Sequence, residues 1–188
     1  MEEILRQQIE QIVPLTDDEF TQILTYFGER KFKKNQYLIQ AGDYAPNDFF
    51  VTKGLLKSSF TDEHGKEHIL QFAMENWWMS DPQAYHNSLK ASLNVSCLED
   101  THTYFISLDN REKLCADWQK MEHFFRKKTQ AGYVALQRRI LSLMSQTAAE
   151  RYTQFVQLYP QLLQRVPKAL IASYLGVSRE TLSRLFLH

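Results

Sequence analysis

Near residue 180, four polar side chains stand where they can act together. Arg179, Glu180, Ser183 and Arg184 are spaced i, i+1, i+4 and i+5, which on a helix places them on one side. An arginine there can pair bidentately with guanine O6 and N7, and a glutamate can accept from cytosine N4–H. Residues at the start of such a helix reach deepest into a major groove. Ser178 is a natural N-cap for it. Lys168, Arg165 and Thr181 are better placed for phosphates, which position a protein on a duplex without specifying its sequence.

The other reactive side chains are less well arranged. Cys97 and Cys115 are too few for a disulfide framework or a four-cysteine metal site, and they read as core thiols. His64 and His68 flank Gly65 in DEHGKEH, with Asp62, Glu63 and Glu67 nearby. A metal site is conceivable there, but the glycine breaks the helix that an i, i+4 histidine pair needs. A solvated charged hairpin is the preferred reading. Trp77 and Trp78 read as alternating strand aromatics in a core. No Ser/His/Asp, Cys/His or phosphate-loop arrangement has usable context. No catalytic residue, metal ligand or resident cofactor is assigned, and the chain reads as a non-enzyme.

The elements that would position the four polar residues are legible. Residues 167–188, PKALIASYLGVSRETLSRLFLH, fit a helix-turn-helix. Ala172 is the small crossing residue and Gly176 the turn. Ile171, Leu175, Val177, Leu182 and Leu185 fill the buried slots. Upstream, residues 147–163 predict a helix with Pro160 near its end, and Pro167 falls in the first turn of the next. Gln119 to Ser145 holds no proline and one glycine, which predicts one long helix. Within it Tyr133, Leu136, Ile140 and Leu143 are spaced 3, 4, 3, a coiled-coil seam of about two heptads that predicts a homodimer interface. Phe124-Phe125-Arg126-Lys127-Lys128 reads as helix core beside a basic face.

Before that helix the pattern is different. Residues 3–13 predict a short amphipathic helix. Thr16 with Glu19 has capping-box spacing and predicts a helix through Tyr26 or Phe27, stopped by Gly28. From Lys31 to about Ser107, short apolar runs alternate with turn residues about every 11–12 positions. These predict strands at Tyr37–Ile39, Phe49–Val51, Leu55–Phe60, His68–Phe72, Leu93–Leu98 and Thr103–Ser107, closed as a barrel or roll. Asp109 would cap a helix to about Asp117.

Charge separates the same two regions. The 188 residues carry 22 Lys and Arg against 22 Asp and Glu. Residues 1–117 hold 11 basic and 19 acidic side chains, and residues 118–188 hold 11 basic and 3 acidic. The neutral total is thus −8 joined to +8, and the basic part is suited to a polyanion. The start, MEEILRQQIEQIVPL, has neither a basic n-region nor an apolar h-region, and no apolar run approaches a membrane span. A cytoplasmic protein with no membrane partner is expected.

SRETLSR, residues 178–184, resembles the recognition helix of the Crp/Fnr transcription regulators. The resemblance covers nearly the whole chain: Gln40 to Ile69, with AGD, the KG turn and DEHGKEH, looks like the β-roll of a cyclic-nucleotide-binding domain, and the helix at 119–145 looks like the family's dimerisation helix. It implies an α+β fold with an N-terminal antiparallel β-roll and flanking helices, a long dimerisation helix and a C-terminal all-α helix-turn-helix domain. The implied divisions are 1–118 for the sensor-like domain, 119–145 for the helix and 146–188 for the reading domain. It further implies a homodimer on palindromic double-stranded DNA, with Arg179, Glu180 and Arg184 as base readers. RNA polymerase and a small-molecule effector are the other partners it leaves room for.

This sequence departs from the family at the ligand site. Nucleotide-binding members keep Gly-Glu for the ribose and Arg-Ser or Arg-Thr for the cyclic phosphate. Here Ser80-Asp81 stands for the first pair and Ala91-Ser92 for the second. Ala91 cannot hold a phosphate, and Lys90 beside it offers only a point charge. The adenine-facing pair on the long helix becomes Leu136-Gln137. These changes argue against cyclic AMP in the usual mode. Only Phe186, Leu187 and His188 follow the reading face, so a wing that many members add is not expected here. Two rival readings fit the same residues: a cupin-like β-roll that binds a small molecule or metal, and a DNA-binding protein whose roll is only a scaffold.

Overall fold

The computed structural model describes residues 1–185, and of Leu185 the backbone alone; the expectations at Phe186, Leu187 and His188, and the buried slot at Leu185, fall outside it. Two helices open the chain, α1 (Glu2–Glu10) and α2 (Asp17–Leu24). Thr16 and Glu19 make the predicted capping box: the Thr16 hydroxyl accepts from Glu19 N–H at 3.2 Å, and the Glu19 carboxylate accepts from Thr16 N–H at 2.8 Å. Helix α2 ends at Leu24, earlier than predicted, because Thr25, Tyr26 and Phe27 tighten into i→i−3 bonds. Gly28 does not stop a helix but opens β1 (Gly28–Phe32). A Cβ there would lie 2.3 Å from the Phe105 ring, so close strand approach explains the glycine.

The following strands are β2 (Tyr37–Ile39), β3 (Asn47–Lys53), β4 (Leu56–Thr61), β5 (Glu67–Ala73) and β6 (Trp78–Met79). After a short helix α3 (Pro82–Asn87), absent from the sequence expectation, come β7 (Asn94–Cys97) and β8 (Thr101–Ser107). They form two antiparallel four-stranded sheets, ordered β1-β8-β3-β6 and β2-β7-β4-β5. Strand periodicity divides the core. Phe49 and Val51 face the roll interior with Ile39, Leu56 and Val95. Phe50, between them, turns outward to meet Leu5, Ile9, Phe20 and Ile23 of the first two helices. Trp78 packs there too, 5.2 Å from the Phe50 ring, so the strand aromatics are core as expected.

Ser107, not Asp109, caps α4 (Leu108–Asp117); its hydroxyl accepts from Asn110 N–H at 3.2 Å. The strand ends at Ser107 as expected, but the helix begins two residues earlier than the Asp109 reading allows, and the Ser107 hydroxyl reaches the third N–H. Helix α5 spans Gln119–Ser145, as the sequence predicts. Its first turns bury Met121, Phe124 and Phe125 in the helical core. Helix α6 (Ala148–Leu158) is capped by Thr147 and Glu150. The predicted helix to 163 breaks at Pro160, which lacks the N–H to continue it and forces Tyr159 out of helical geometry (φ −136°, ψ 53°). A short α7 (Leu162–Arg165) precedes α8 (Lys168–Leu175) and α9 (Arg179–Leu185). Pro167 stands at the N-cap of α8.

The C-terminal helices pack on the outer face of β5. Ile69 and Phe72 join Leu55 in one buried cluster with Phe155, Leu162, Val166, Ile171, Ala172, Leu175 and Leu182. Residues three apart on a strand normally face opposite ways. A bulge between Ser58 and Ser59 pairs them with Gln71 and Ile69, leaves Leu70 unpaired, and brings Ile69 and Phe72 to one face.

Candidate functional site

The helix-turn-helix forms from local chemistry. Gly176 adopts φ +67°, a left-handed cap that lets Val177 N–H reach back to the Ala172 carbonyl at 3.0 Å. The chain then reverses, and the Ser178 hydroxyl accepts from Thr181 N–H at 3.1 Å, starting α9. Ile171, Ala172, Leu175 and Leu182 are buried as predicted, and Val177 is half-buried.

That packing fixes which side of α9 faces outward. Arg179, Glu180, Ser183 and Arg184 are all exposed, whereas Thr181 is half-buried beside the cap. The Glu180 backbone N–H and the Ser178 hydroxyl hold the Glu180 carboxyl below the usual carboxylate range, aided by Arg179 and Arg184. Glu180 is therefore an acceptor at neutral pH, flanked by two fork-shaped donors. Lys168 is exposed at the start of α8.

Arg165 has a different job from the phosphate contact expected of it. Its guanidinium donates to Glu99 at 3.0 and 2.8 Å, to Glu75 at 2.8 and 3.1 Å, and to the Gly54 carbonyl at 2.9 Å. Two carboxylates and a carbonyl from three turns of the β-roll thus hold one arginine of the C-terminal helices. Ser173 makes a second junction: its hydroxyl accepts from Ile69 N–H at 3.1 Å and donates to the Glu67 carbonyl at 3.0 Å, closing the open edge of β5. Arg139 of α5 makes a third. It donates to the Ile69 carbonyl at 3.2 Å and the Tyr174 carbonyl at 2.8 Å and lies 3.6 Å over the Tyr174 ring. Nothing local in the sequence marked Arg165, Ser173 or Arg139, because their partners lie 35 to 111 positions away.

The long helix carries an uncovered apolar stripe. Tyr133, Leu136, Ile140 and Leu143 are 70, 58, 49 and 43% exposed, and Met144 is 79% exposed. The first turns of α5 are buried in the helical core, and farther along Arg139 and Ser142 reach Tyr174 and Gln154, but this apolar stripe stays open.

The residues expected at the ligand site are only partly brought together. Asp81 is 1% exposed. One of its oxygens accepts from Ser92 N–H at 2.8 Å, Ser92 Oγ at 3.2 Å and Leu93 N–H at 3.1 Å; the other accepts from Ala84 N–H at 3.2 Å. Ser80 turns away and donates to the half-buried Asp48, whose carboxyl desolvation pushes up to about 6 against the pull of Arg111. Ala91 is buried and pairs through its backbone with Gly42 and Asp43, each at 2.8 Å. Lys90 is exposed. Gln137 is exposed on α5, and no hydrogen bond among the described residues joins it to Asp81 or Ser92. These side chains do not fit a cyclic phosphate: among the described residues no guanidinium bonds to this loop, and the Asp81 carboxylate takes the donors.

The remaining sequence candidates fall into structural roles. Asp62 accepts from His64 N–H and Lys66 N–H, each at 3.0 Å, and pairs with His68 Nε2 at 2.7 Å, which makes a charged hairpin turn. Among the described residues no group of three or more His, Cys, Asp or Glu is placed to hold a metal. Burial pushes the Cys97 thiol up to about 11 and the Cys115 thiol up to about 12, so neither is a thiolate nucleophile at neutral pH. No helix of the described residues is long and apolar enough to cross a membrane.

Residues 29–117 match the cyclic nucleotide-binding domain. No curated protein matches the chain in sequence. Solved structures match its fold over most of its length. FixK2 from Bradyrhizobium japonicum has a TM-score of 0.73 at 18% identity, covering 86% of this chain and 83% of that one. The c-di-GMP responsive global regulator CLP of Xanthomonas campestris has a TM-score of 0.72 at 14% identity, covering 89 and 88%. A transcriptional regulator of the crp/fnr family from Eubacterium rectale has a TM-score of 0.69 at 15% identity, covering 92 and 82%. The architecture is therefore that of the Crp/Fnr regulators: an antiparallel β-roll, a long helix and a terminal helix-turn-helix.

Proposed function

We propose that the chain is a DNA-binding transcription regulator of the Crp/Fnr type and not an enzyme. The observation that carries this reading is α9: its inner side is buried while Arg179, Glu180, Ser183 and Arg184 stand together on its open side. Arg179 and Arg184 read guanine edges and Glu180 a cytosine amine, with Ser178, Thr181, Ser183 and Lys168 completing the contact to bases and backbone. Two copies pair along α5 through Tyr133, Leu136, Ile140 and Leu143, so each molecule presents two reading heads to a palindrome. Cyclic AMP is not its effector in the usual mode.

Capture and sequencing of bound genomic fragments tests the reading, and an inverted repeat is the expected outcome. On the recovered site Arg179→Ala loses about 1–3 kcal/mol per half-site and relaxes the preference at one base position. An unchanged sequence preference in that variant would sink the base-reading role. Failure of the wild type to retain any fragment would sink the function itself.

A further inference from the structure

The strongest unexplained feature is the wrapping of one carboxylate in the segment Ser80–Leu93. Asp81 is almost completely buried, yet among the described residues no cation pairs with it. Its neutralisation comes from dipoles alone. Three donors, Ser92 N–H, Ser92 Oγ–H and Leu93 N–H, converge on one oxygen, and Ala84 N–H meets the other. Consecutive backbone N–H groups aimed at one point form a concavity suited to an anion. This one is built deliberately into the fold. Ala91, just before it, is bonded on both sides of its backbone to the Gly42–Asp43 turn, and Asn94, just after it, accepts from Ala41 N–H at 2.9 Å. The donors are thus held in place from outside the segment.

An N-cap role alone does not account for this. A capping aspartate satisfies the N–H two or three residues on, as Ala84 N–H is satisfied here. The three bonds from Ser92 and Leu93 come from eleven and twelve positions away and close the far end of the loop onto the same carboxylate.

We propose that Asp81 is the resident anion of this domain: its carboxylate occupies the donor nest that would otherwise receive a phosphate or other free anion, and the loop is closed without a ligand. Cyclic nucleotides and inorganic phosphate therefore find no site here, because the donors are filled and the incoming charge would face a buried carboxylate. The inference rests on the proposed function only for its consequence, that DNA is bound without a nucleotide.

The test uses the full chain and reads the β-roll directly, so its outcome does not depend on DNA binding. Thermal unfolding of wild type and Asp81→Ala is followed in formate, inorganic phosphate and cyclic AMP, with chloride at matched ionic strength as reference. The wild type shows no saturable shift with any of them. Asp81→Ala unfolds at lower temperature, and formate, which restores the missing carboxylate, raises its midpoint saturably. Asp81→Asn fills the same space and shows no such formate response. A saturable rise of the wild type with phosphate or cyclic AMP overturns the proposal, as does an Asp81→Ala response to formate no larger than to chloride. Should Asp81→Ala not fold in either salt, the wild-type amide resonances of Ser92 and Leu93 decide. Stationary signals during titration with phosphate and cyclic AMP uphold the proposal, and saturable movement refutes it.

Discussion

Removing the Arg165 guanidinium is the sharpest perturbation of how the two parts of the chain are held together. Arg165→Met keeps the aliphatic stem and deletes five donated bonds to Glu75, Glu99 and Gly54. The three side chains are 24, 35 and 36% exposed, so water screens part of the attraction. An exposed ion pair is worth about 0–1 kcal/mol, and a hydrogen bond to a charged group about 1.5–3 kcal/mol. The arrangement lies between these limits, because both carboxylates are gripped by a fork and are left facing each other when it goes. A loss of about 2 kcal/mol follows, which in a chain of this length lowers Tm by roughly 4–8 °C. Urea unfolding measures the first figure and calorimetry the second. Hydrogen exchange at Ile69, whose N–H is bonded to Ser173, shows whether the loss is local to the junction. Adding Glu75→Gln and Glu99→Gln to the variant should recover part of the stability, since the uncompensated charges are then gone. Acid should weaken the same junction. Burial raises the Glu75 carboxyl, but Arg165 and backbone N–H groups outweigh it and hold the folded value below the ordinary one. The contribution is therefore complete above the unfolded carboxylate pKa and fades as pH falls through the lower folded value. A variant within about 0.5 kcal/mol of wild type, with Ile69 equally protected, would refute the reasoning.

Two further outcomes follow from other parts of the molecule. Leu136→Glu or Ile140→Glu places a charge in the exposed seam of α5; a cost of about 3 kcal/mol raises the dissociation constant of the proposed dimer more than about 100-fold, leaves the monomer folded, and is read by sedimentation. An unchanged assembly state at micromolar concentration would remove the seam from the interface. Asp48 has the opposite pH sign to Glu75: its folded pKa is raised to about 6, so stability is fully present below the unfolded value and is lost as pH rises through 6. Asp48→Asn is therefore more stable than wild type by about 2 kcal/mol at pH 8, and the gap closes toward pH 4 in urea titrations; a gap that does not vary with pH contradicts the burial argument.

What the sequence disclosed was local. The capping box at Thr16, the turn at Gly176 and the cap at Ser178 each act within a few residues, and α5 runs unbroken through a stretch that holds no proline. Strand runs were visible because Phe49, Phe50 and Val51 alternate between two cores. The errors have equally physical causes. The missing N–H of Pro160 interrupts an otherwise helical pattern, and Ser107 caps α4 in place of Asp109 because the helix starts two residues sooner. Helix α3 was hidden by its length and by Ser88, which closes it with a positive φ of 53°. The wrapping of Asp81 and the capture of Arg165 depend on loops that meet only in three dimensions.

Those long-range contacts change the meaning of the charge division. A half-chain of +8 suggests that its cations face a polyanion. Yet Lys120 is paired with Glu19, Arg165 with Glu75 and Glu99, and Arg139 and Arg151 are engaged with backbone carbonyls. Lys128 is half-buried and within reach of the Asp48 charge. Part of the asymmetry therefore works inside the molecule, where acidic turns of the roll receive basic side chains of the helices. The cations left outward on α8 and α9 are few, and Arg179 and Arg184 are two of them. On the proposed function, specific recognition then depends on the geometry of those two forks about Glu180, on the helix that α8 carries where it packs on β5.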